Sequence, residues 1–393
     1  MLNQIHVRSF KSLKDVTVDL GAVNVFVGAN GSGKSNLLES VGILSAAAAG
    51  RVDDESLIRR GVRPGVPALY KSSFKNEKPR GSIRFSGYGE NVDYQVELYN
   101  PKKDPGFGWS YKTEILRKGG ERVAGRSPAS NLNLDSKAGL IALESVRFEK
   151  GSEEAVFLKN LRDFAVYAPN TATLRGLVAD PQLRAPVGLG GGGLPGAVQA
   201  LIQLAGEDDF ALDVIQDIFE MVDWAKAIQA GTVSDVPLSP TAASAKEHLI
   251  FVDRFMRTNE NRLSGFDVSE GAMYLLFSAV LVVSPLSPNL FAIDNFDAGL
   301  NPRLVRHLMA QMCDWIVGLG DRQVMLTCHN PSVLDGMPLG DDRVRLFAVD
   351  RTNSGKTIVN RIMLDERVRG LSEKGWTLSR MWTGGMLGGV PNV

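Results

Sequence analysis

Cysteine is scarce in this chain, long apolar runs are missing, and neither sign of charge is in excess. Only Cys313 and Cys328 occur among 393 residues, which excludes a disulfide framework and favours a reducing compartment. No apolar run approaches the roughly 18 residues that span a membrane, and the first residues lack the basic-then-apolar order of a secretory signal. We therefore expect a soluble, cytoplasmic protein with no membrane partner.

The 44 Lys and Arg residues balance the 44 Asp and Glu residues. Net charge therefore gives no support for nucleic-acid binding, although it leaves room for a local basic patch. We interpret the basic C-terminal stretch as a solvated face, and the alternative is a patch that binds nucleic acid or a partner protein. The cations of that stretch are Arg361, Arg367, Arg369, Lys374 and Arg380.

Changes in the pattern of apolar, polar and turn-forming residues divide the chain into three segments. Residues 1–135 combine strand patterns with a glycine loop and a β-rich stretch that predicts an antiparallel meander. Residues 136–262 are predicted as a mainly helical insertion. Residues 263–393 return to alternating strands and helices, so the predicted fold class is α/β with an antiparallel β subdomain.

Three stretches are predicted to be loops without a functional motif. The run Gly190–Gly193 is predicted to be a mobile loop, and Ser234–Ser244 is a second soft region with two prolines among small polar residues. The arginines at 59, 60 and 63 are interpreted as part of a solvated loop.

A complete phosphate-binding motif lies between Gly28 and Ser35. The preceding segment Val23–Val27 is typical of a buried strand, and the following residues predict an apolar-faced helix, which is the context that the motif requires. Its glycines let successive backbone N–H groups face phosphate oxygens, and the helix N-terminus favours the same anion. Lys34 would then reach the β and γ phosphates of ATP, and the Ser35 hydroxyl would bind Mg²⁺.

A phosphate loop needs an acidic residue at the end of a neighbouring buried strand to hold the Mg²⁺ ion. The apolar run Leu290–Ile293 ends at Asp294, at the position where sites in open α/β sheets lie. We therefore interpret Asp294 as a ligand of Mg²⁺.

Two weaker signals accompany these motifs. Ser269 and Gly271 stand at the start of an apolar helix, where a hydroxyl and backbone amides can bind an anion, although a helix-capping serine is the ordinary explanation. His329 ends the strand pattern Val324–Thr327, and a lone histidine is more often structural.

In sequence order, these four segments resemble the Walker A, signature, Walker B and switch-histidine motifs of the ATP-binding cassette superfamily. The resemblance is closest to the compact SMC/RecF-like branch of bacterial ATPases, often classed as AAA-type. Ser9–Leu13 is similar to the N-terminal strand motif of that branch, and Asp294–Pro302 follows its Walker B and D-loop pattern. The resemblance covers about residues 1–50 and 262–350.

This resemblance implies a P-loop ATPase head of the ABC/SMC type, with ATP and Mg²⁺ as cofactors. Ser269 and Gly271 would close over the ATP of a second subunit, and His329 would sense the γ-phosphate. The remaining nucleotide contacts would come from Lys11, Asn30, Gly31, Ser32, Gly33, Lys34, Ser35 and Asn36.

One departure from the family pattern bears on catalysis. The usual general-base glutamate directly follows the Mg²⁺ aspartate, but this position is Asn295, which cannot accept a proton from water at neutral pH. Asp297 is the nearest remaining carboxylate and occupies the family's second acidic position. Either Asp297 substitutes as the base, or hydrolysis is slow and ATP mainly clamps a dimer. We favour slow or regulated hydrolysis.

The leading functional hypothesis follows from the resemblance. It is an ATPase subunit that forms a dimer or higher homo-oligomer with ATP and controls a separate effector, a nuclease or toxin, in bacterial anti-phage defence. The runner-up is a RecF-like DNA-repair ATPase that binds DNA directly. A transporter cassette is a third hypothesis, and the RecF-like start and the long insertion count against it. The sequence contains no heptad pattern, which excludes a chromosome-scale tether.

Overall fold

Three sheets frame the part of the chain that the computed structural model describes, which is residues 1–75, 77–78, 80–106, 108–127, 134–232, 235 and 247–389. The soft region 234–244 falls, apart from Asp235, outside the described residues. The strands are β1 (Gln4–Phe10), β2 (Leu13–Asp19), β3 (Val23–Val27), β4 (Ser82–Tyr88), β5 (Val92–Tyr99), β6 (Ser110–Lys118), β7 (Glu121–Arg126), β8 (Val166–Tyr167), β9 (Ala225–Gly231), β10 (His248–Asp253), β11 (Arg262–Ser264), β12 (Leu290–Ile293), β13 (Gln323–Cys328), β14 (Val344–Arg351) and β15 (Thr357–Ile362).

Helices pack on and between these sheets. The α-helices are α1 (Lys34–Ala48), α2 (Asp54–Ile58), α3 (Pro67–Tyr70), α4 (Leu140–Glu144), α5 (Glu153–Arg162), α6 (Thr171–Leu174), α7 (Leu194–Leu204), α8 (Asp209–Met221), α9 (Glu270–Val283), α10 (Pro302–Leu319), α11 (Glu366–Glu373) and α12 (Leu378–Thr383). Short 3₁₀ helices span Ser145–Arg147 and Pro331–Gly336. No helix in the described ranges is both long and apolar enough to cross a membrane.

The first sheet is the predicted antiparallel meander. Its strand order is β2-β1-β4-β5-β6-β7, and every neighbouring pair runs antiparallel. Burial alternates along β1 and β2, as expected for a sheet with one face on the core. The meander prediction is confirmed, and the structure adds β1 and β2 to the same sheet.

The second sheet carries the phosphate loop at its centre. Its order is β15-β14-β3-β13-β12-β8, in which β14, β3, β13, β12 and β8 run parallel and β15 is antiparallel to β14. All residues of β3, β12 and β13 are buried, which is typical of parallel strands covered on both faces. The mixed α/β fold class predicted from the sequence is therefore confirmed.

Helix α1 lies within the core rather than on the surface. Its apolar residues belong to one core cluster with residues of the meander sheet, and nearly every side chain of the helix is buried, including Glu39. The sequence predicted that one apolar face of this helix is buried. The structure buries nearly all of the helix, because packed elements surround α1. Helix α9 is buried in the same way.

Residues 136–262 contain helices α4 to α8, but they also contribute strands. β8 joins the edge of the central sheet beside β12, and β9 to β11 form a small antiparallel sheet with the order β11-β10-β9. The run Gly190–Gly193 is held in place, because the Asp180 carboxylate accepts hydrogen bonds from the N–H groups of Gly190 and Gly192 at 2.9 and 3.0 Å. This fixed turn contrasts with the predicted mobile loop.

The C-terminal helix α12 docks on the 3₁₀ helix Pro331–Gly336. The N–H and the hydroxyl of Ser379 donate to the Asp335 carboxylate at 2.9 and 2.6 Å, and Trp382 is buried in the core. The guanidinium of Arg380 lies 4.2 Å from the centre of the Trp376 ring. The basic side chains Arg367, Arg369, Lys374 and Arg380 are exposed.

Candidate nucleotide-binding site

The parallel strands of the central sheet bring the predicted site residues to one edge. The carboxyl ends of β3, β12 and β13 lie side by side, since Val27 pairs with Cys328 and Ile293 pairs with Leu326. The loop after β3, Asp294 after β12 and His329 after β13 therefore meet at this edge. The carboxyl end of β8 also lies here and is followed by Ala168, Pro169 and Asn170.

The backbone of the phosphate loop requires glycine at specific positions. Gly31 and Gly33 have φ angles of 77° and 116°, in the region where glycine is favoured. A Cβ atom on Gly33 would lie 2.3 Å from the Thr357 hydroxyl, whereas a Cβ atom on Gly31 would face open space. The loop is therefore packed tightly on one side and open on the other.

Hydrogen bonds from distant segments hold the packed side of this loop. Thr357 Oγ1 donates to the carbonyl of Ser32 at 2.6 Å and lies 2.7 Å from Ser12 Oγ, which in turn accepts from the Asn36 amide at 2.9 Å. The Ser32 hydroxyl is buried and has no hydrogen-bond partner among the described residues. A buried polar atom without a partner in a phosphate loop fits a site that expects a polar ligand.

Lys34 is a buried cation at the start of α1. Its Nζ atom donates to the carbonyls of Gly28 at 2.7 Å and Ala29 at 3.1 Å. Burial lowers the pKa of Lys34, against smaller opposing contributions from nearby anionic groups that include Asp294 and Asp297. A cation removed from water in this way favours an anionic ligand.

Ser35 and Asp294 form the candidate Mg²⁺ position. Ser35 Oγ lies 3.2 Å from Asp294 Oδ1, which also accepts a hydrogen bond from Thr327. These are the oxygen donors that Mg²⁺ prefers. No cluster of three His, Cys, Asp or Glu side chains suited to a metal ion occurs within the described ranges, so phosphate oxygens and water would complete such a site. The sequence did not single out Thr327, although its place at the end of β13 was a usable signal.

Asn295 has a left-handed backbone, with φ of 57°, and its N–H donates to Thr327 Oγ1 at 2.9 Å. Asparagine tolerates this conformation better than most residues with a side chain. The backbone geometry therefore gives a physical reason for asparagine at this position.

Asp297 is mostly buried, with 9% of its surface exposed, and supports the loop after β13. Its Oδ2 atom accepts hydrogen bonds from the N–H groups of His329, at 2.8 Å, and Asn330. The carboxylate that was considered as a substitute base therefore also fixes the backbone that carries His329.

His329 faces the phosphate loop across a cavity of about 200 Å³. Burial lowers the pKa of His329, and the positive charge of Lys34 lowers it further, so the imidazole is neutral near pH 7. The cavity is lined by Asn30, Gly31, Ser32, Gly33, Lys34, Ser35, Asn36, Arg63 and His329. The predicted loop residues and the predicted histidine therefore share one cavity.

Arg63 is a site residue that the sequence does not predict, because its loop has the pattern of a solvated segment. Arg63 lines the phosphate-loop cavity, and its terminal nitrogen lies 3.3 Å from the side-chain oxygen of Asn36. Arg60 is buried, and burial lowers its pKa to about 10. The interpretation as a solvated loop is therefore wrong for Arg60, whereas Arg63 is exposed as predicted but also lines the cavity.

Lys11 lies beside the site in an unexpected environment. Its ammonium group forms an ion pair with the buried carboxylate of Glu39 on α1 and lies over the rings of Phe10 and Tyr70. It lines a neighbouring groove of about 380 Å³ that shares Gly31 and Asn36 with the phosphate-loop cavity.

Ser269 and Gly271 stand at the start of α9, as predicted, and do not line the phosphate-loop cavity of the same chain. Ser269 is exposed, and its side chain makes no capping hydrogen bond to the helix. A Cβ atom on Gly271 would lie 3.2 Å from the carbonyl of Gly299, so this helix start packs on the loop that follows Asp294.

Comparison with known proteins agrees with this arrangement. Over residues 23–335 the chain matches the family described as "AAA domain, putative AbiEii toxin, Type IV TA system". No curated protein matches the chain.

Two solved structures with a similar fold are SMC head domains. One is an SMC head bound to the C-winged helix domain of ScpA, at 13% identity and a TM-score of 0.53, over 94% of this chain and 99% of that chain. The other is an SMC head with an extended coiled coil bound to the C-terminal domain of ScpA from Pyrococcus furiosus, at 13% identity and a TM-score of 0.50, over 96% of this chain and 100% of that chain. At this identity the likeness shows the fold, which is the head fold that the motifs predicted.

Proposed function

The chain belongs to this AAA-domain family, and from that premise we propose that it is an ATPase subunit that binds MgATP, hydrolyses it slowly, dimerises with it and controls a separate effector in bacterial anti-phage defence. The observation that carries the proposal is the convergence of Lys34, Ser35 and Asp294 at one sheet edge: Lys34 and Ser35 line the phosphate-loop cavity, and Ser35 Oγ lies 3.2 Å from Asp294 Oδ1. ATP is the proposed nucleotide because the family and the fold are those of ATPases.

The proposed phosphate contacts come from the loop amides, Lys34, Arg63 and His329. A Mg²⁺ ion held by Ser35 and Asp294 would neutralise charge on the β and γ phosphates. Positioning and neutralisation supply most of the barrier reduction in phosphoryl transfer, so this set supports binding without a strong base.

The base and ribose of the nucleotide are proposed to occupy the groove beside the phosphate loop. This groove shares Gly31 and Asn36 with the phosphate cavity, so a bound nucleotide can pass from one to the other. Its apolar wall includes Phe74 and Leu69, and 72% of the surface of Leu69 is exposed. An exposed leucine beside a polar loop fits a surface that stacks on a flat base.

Slow hydrolysis is proposed because Asn295 replaces the usual base. A general base adds about 10²–10⁴-fold to such a step. Asp297 stays a candidate for the residual activity, although its carboxylate also holds the backbone of His329.

ATP-dependent dimerisation is proposed from the exposed start of α9. The uncapped Ser269 hydroxyl and the N-terminal N–H groups of the helix are placed to meet an anion from outside the chain. A second subunit would supply that anion as the γ-phosphate of its own ATP, so the assembly would be a homodimer or a larger homo-oligomer.

The effector is proposed to be a separate nuclease or toxin. The family description names a toxin–antitoxin system, and the two solved SMC heads are bound to domains of another protein, which supports a head that works with a partner chain. We further propose that segments 1–135, 136–262 and 263–393 act as an N-terminal ATPase lobe, an insertion and a C-terminal ATPase lobe.

Direct DNA binding, as in a RecF-like repair ATPase, is the second candidate. It is favoured by exposed cations on the loop that precedes β4 and on the loop that follows β5, with two acidic residues, Glu77 and Asp104, among them. These cations are Lys75, Lys78, Arg80, Lys102 and Lys103. Binding of duplex DNA by the isolated protein that weakens steeply with salt would favour this candidate.

The proposal is tested by calorimetry with MgATP on the wild type and on Lys34→Ala. We expect the variant to lose binding, because the cation that faces the phosphates is gone. Lys159→Ala, which removes an exposed lysine on α5, is the matched control and should bind like the wild type. Unchanged affinity in Lys34→Ala would overturn the proposal. Copurification of the tagged chain with a second polypeptide tests the effector.

A further inference from the structure

Glu39 is a buried carboxylate one turn beyond Ser35 on α1. Only 2% of its surface is exposed, and it accepts hydrogen bonds from Lys11 Nζ, from Arg63 Nε and, at 3.3 Å, from the backbone N–H of Arg63. A charge buried this deeply is tolerated only when it is paired and hydrogen-bonded. Both of its cationic partners line cavities of the proposed nucleotide site.

The Lys11 side chain is only 19% exposed and is confined by aromatic neighbours. The Lys11 ammonium lies 5.3 and 5.1 Å from the centres of the Phe10 and Tyr70 rings, and its backbone N–H donates to the carbonyl of Tyr70 at 2.7 Å. Burial lowers the pKa of Lys11, and the ion pair with Glu39 opposes this. Lys11 is therefore confined by its neighbours and serves as the charge partner of Glu39.

The Arg63 side is open. The Arg63 side chain is 63% exposed and borders the phosphate-loop cavity, yet its Nε edge and its backbone are both tied to Glu39. The hydrogen bond to Glu39 raises the pKa of Arg63. The hydroxyl of Tyr70 also donates to the carbonyl of Arg63 at 2.7 Å. The terminal nitrogen Nη2 lies 3.3 Å from the side-chain oxygen of Asn36, which also lines the cavity.

An exposed arginine normally samples many rotamers, and a ligand must restrict them when it binds. A guanidinium whose Nε–H is already hydrogen-bonded loses less conformational entropy when the ligand binds. Its remaining donors form a planar fork, the geometry that matches phosphate oxygens. We propose that Glu39 is a positioning residue that aims Arg63 at the phosphates of the bound nucleotide, with Lys11 balancing the buried charge. This inference rests on the proposed nucleotide site.

The test is a double-mutant cycle on MgATP affinity, measured by calorimetry with the wild type, Glu39→Gln, Arg63→Ala and the double variant. We expect each single change to weaken binding by about tenfold or more, the size of a lost charge-assisted hydrogen bond. We expect the double variant to bind like Arg63→Ala, because Glu39 acts through Arg63. A merely structural role for Glu39 would instead give losses that multiply, and that result would overturn the proposal.

Arg63→Lys keeps the test decisive if Glu39→Gln fails to fold. Lysine retains the charge but has no Nε edge for Glu39 to hold, so we expect a loss similar to that of Glu39→Gln. Affinity within twofold of the wild type in Arg63→Lys or in Glu39→Gln would contradict the proposed aiming. Lys34→Ala distinguishes a failure of this inference from a failure of the proposed nucleotide site. If Lys34→Ala loses binding while the Glu39 and Arg63 variants do not, only this inference fails. If Lys34→Ala still binds MgATP, the nucleotide site itself fails.

Discussion

Ser35 and Asp294 are distant in the sequence, yet Ser35 Oγ lies 3.2 Å from Asp294 Oδ1. The contact exists because β3, which precedes the phosphate loop, and β12, which precedes Asp294, are separated in the sheet by only one strand, β13. It is the geometric core of the proposed Mg²⁺ site.

Asn295→Glu should speed ATP turnover, because it places a carboxylate where the family has its general base. A gain of about 10²–10⁴-fold is the range for such a base, measured by steady-state phosphate release. The same change should lower the melting temperature, since a left-handed backbone costs a glutamate about 1–2 kcal/mol. Asn295→Gly suits this backbone and adds no base, so it should show no gain in turnover. Equal turnover in Asn295→Glu and the wild type would place the base elsewhere.

Asp297 variants should separate its two candidate roles. Asp297→Asn keeps an oxygen acceptor for the N–H groups of His329 and Asn330 but removes the base, whereas Asp297→Ala removes both. We expect Asp297→Asn to retain most of the turnover and Asp297→Ala to lose about tenfold or more, because it removes the acceptor of two hydrogen bonds and each lost hydrogen bond to a charged group costs about 1.5–3 kcal/mol. Equal losses in single-turnover assays would instead identify the carboxylate as the base.

Ser269→Arg should prevent ATP-dependent dimerisation while leaving MgATP binding by the monomer intact. The side chain is exposed at the start of α9, so the substitution adds bulk and charge at the proposed interface without disturbing the core. Light scattering with and without MgATP measures the effect. Ser136→Arg, at another exposed serine, is the control and should dimerise like the wild type. A dimer that persists in Ser269→Arg would place the interface on another surface.

His329 should make MgATP binding stronger at lower pH. Burial and Lys34 lower its pKa below the ordinary value of 6.5, and a neighbouring γ-phosphate would raise it. Binding then takes up a proton, so affinity rises as pH falls through the pKa of the bound state and levels off below that of the free state. We expect calorimetry at pH 7.5 and 6.0 to show the wild type gaining affinity relative to His329→Gln. A constant ratio between the two proteins would show that His329 does not face the phosphates.

Glu114 should make the fold less stable as pH rises. It is fully buried, it accepts hydrogen bonds from the Leu140 N–H at 2.6 Å and the Tyr94 hydroxyl at 3.1 Å, and burial raises its pKa to about 7. Because the pKa of Glu114 is higher in the folded than in the unfolded chain, its contribution to the free energy of unfolding is fully present below the unfolded pKa of 4.5. This contribution is lost as pH rises to about 7 and above, and the total loss is about 3 kcal/mol.

Glu114→Gln should therefore flatten the melting temperature between pH 5 and pH 8. Glutamine keeps one oxygen for the backbone N–H, and its amide can donate to the Tyr94 hydroxyl. Lys159→Ala serves as the surface control. If the wild type and Glu114→Gln show the same pH profile, Glu114 does not titrate in this window.

The parts that the sequence predicted are those in which one contiguous segment carries the information. The phosphate loop fixes its own backbone through its glycines, and the buried strands β3, β12 and β13 are short runs of apolar residues. Their parallel pairing follows from the alternation with helices, so the meeting of Lys34 and Asp294 was predictable.

The parts that the sequence missed depend on tertiary contacts. β8 has two residues, too few for a periodic pattern, and becomes a strand only because β12 lies beside it. In the sequence alone Arg63 is an ordinary loop cation, and it is the fold that brings Glu39 next to it. Glu39 lies on a helix predicted to have one apolar face, and it is buried because the meander sheet covers α1. In each case the contacting residue is distant in the sequence, or it lies on a helix face that the sequence pattern does not predict to be buried.

The position of β3 in the central sheet has a consequence for biosynthesis. Its two neighbours are β13 and β14, so a ribosome that has made the first 300 residues has not yet made either partner of Val23–Val27. Until then this apolar strand has two open edges, which is the situation that invites aggregation and chaperone binding. Thr357, which clamps the phosphate loop, is made later still. Nucleotide binding by a nascent chain would therefore show that translation has passed Thr357. Fragments truncated before β13 should be insoluble instead of weakly active.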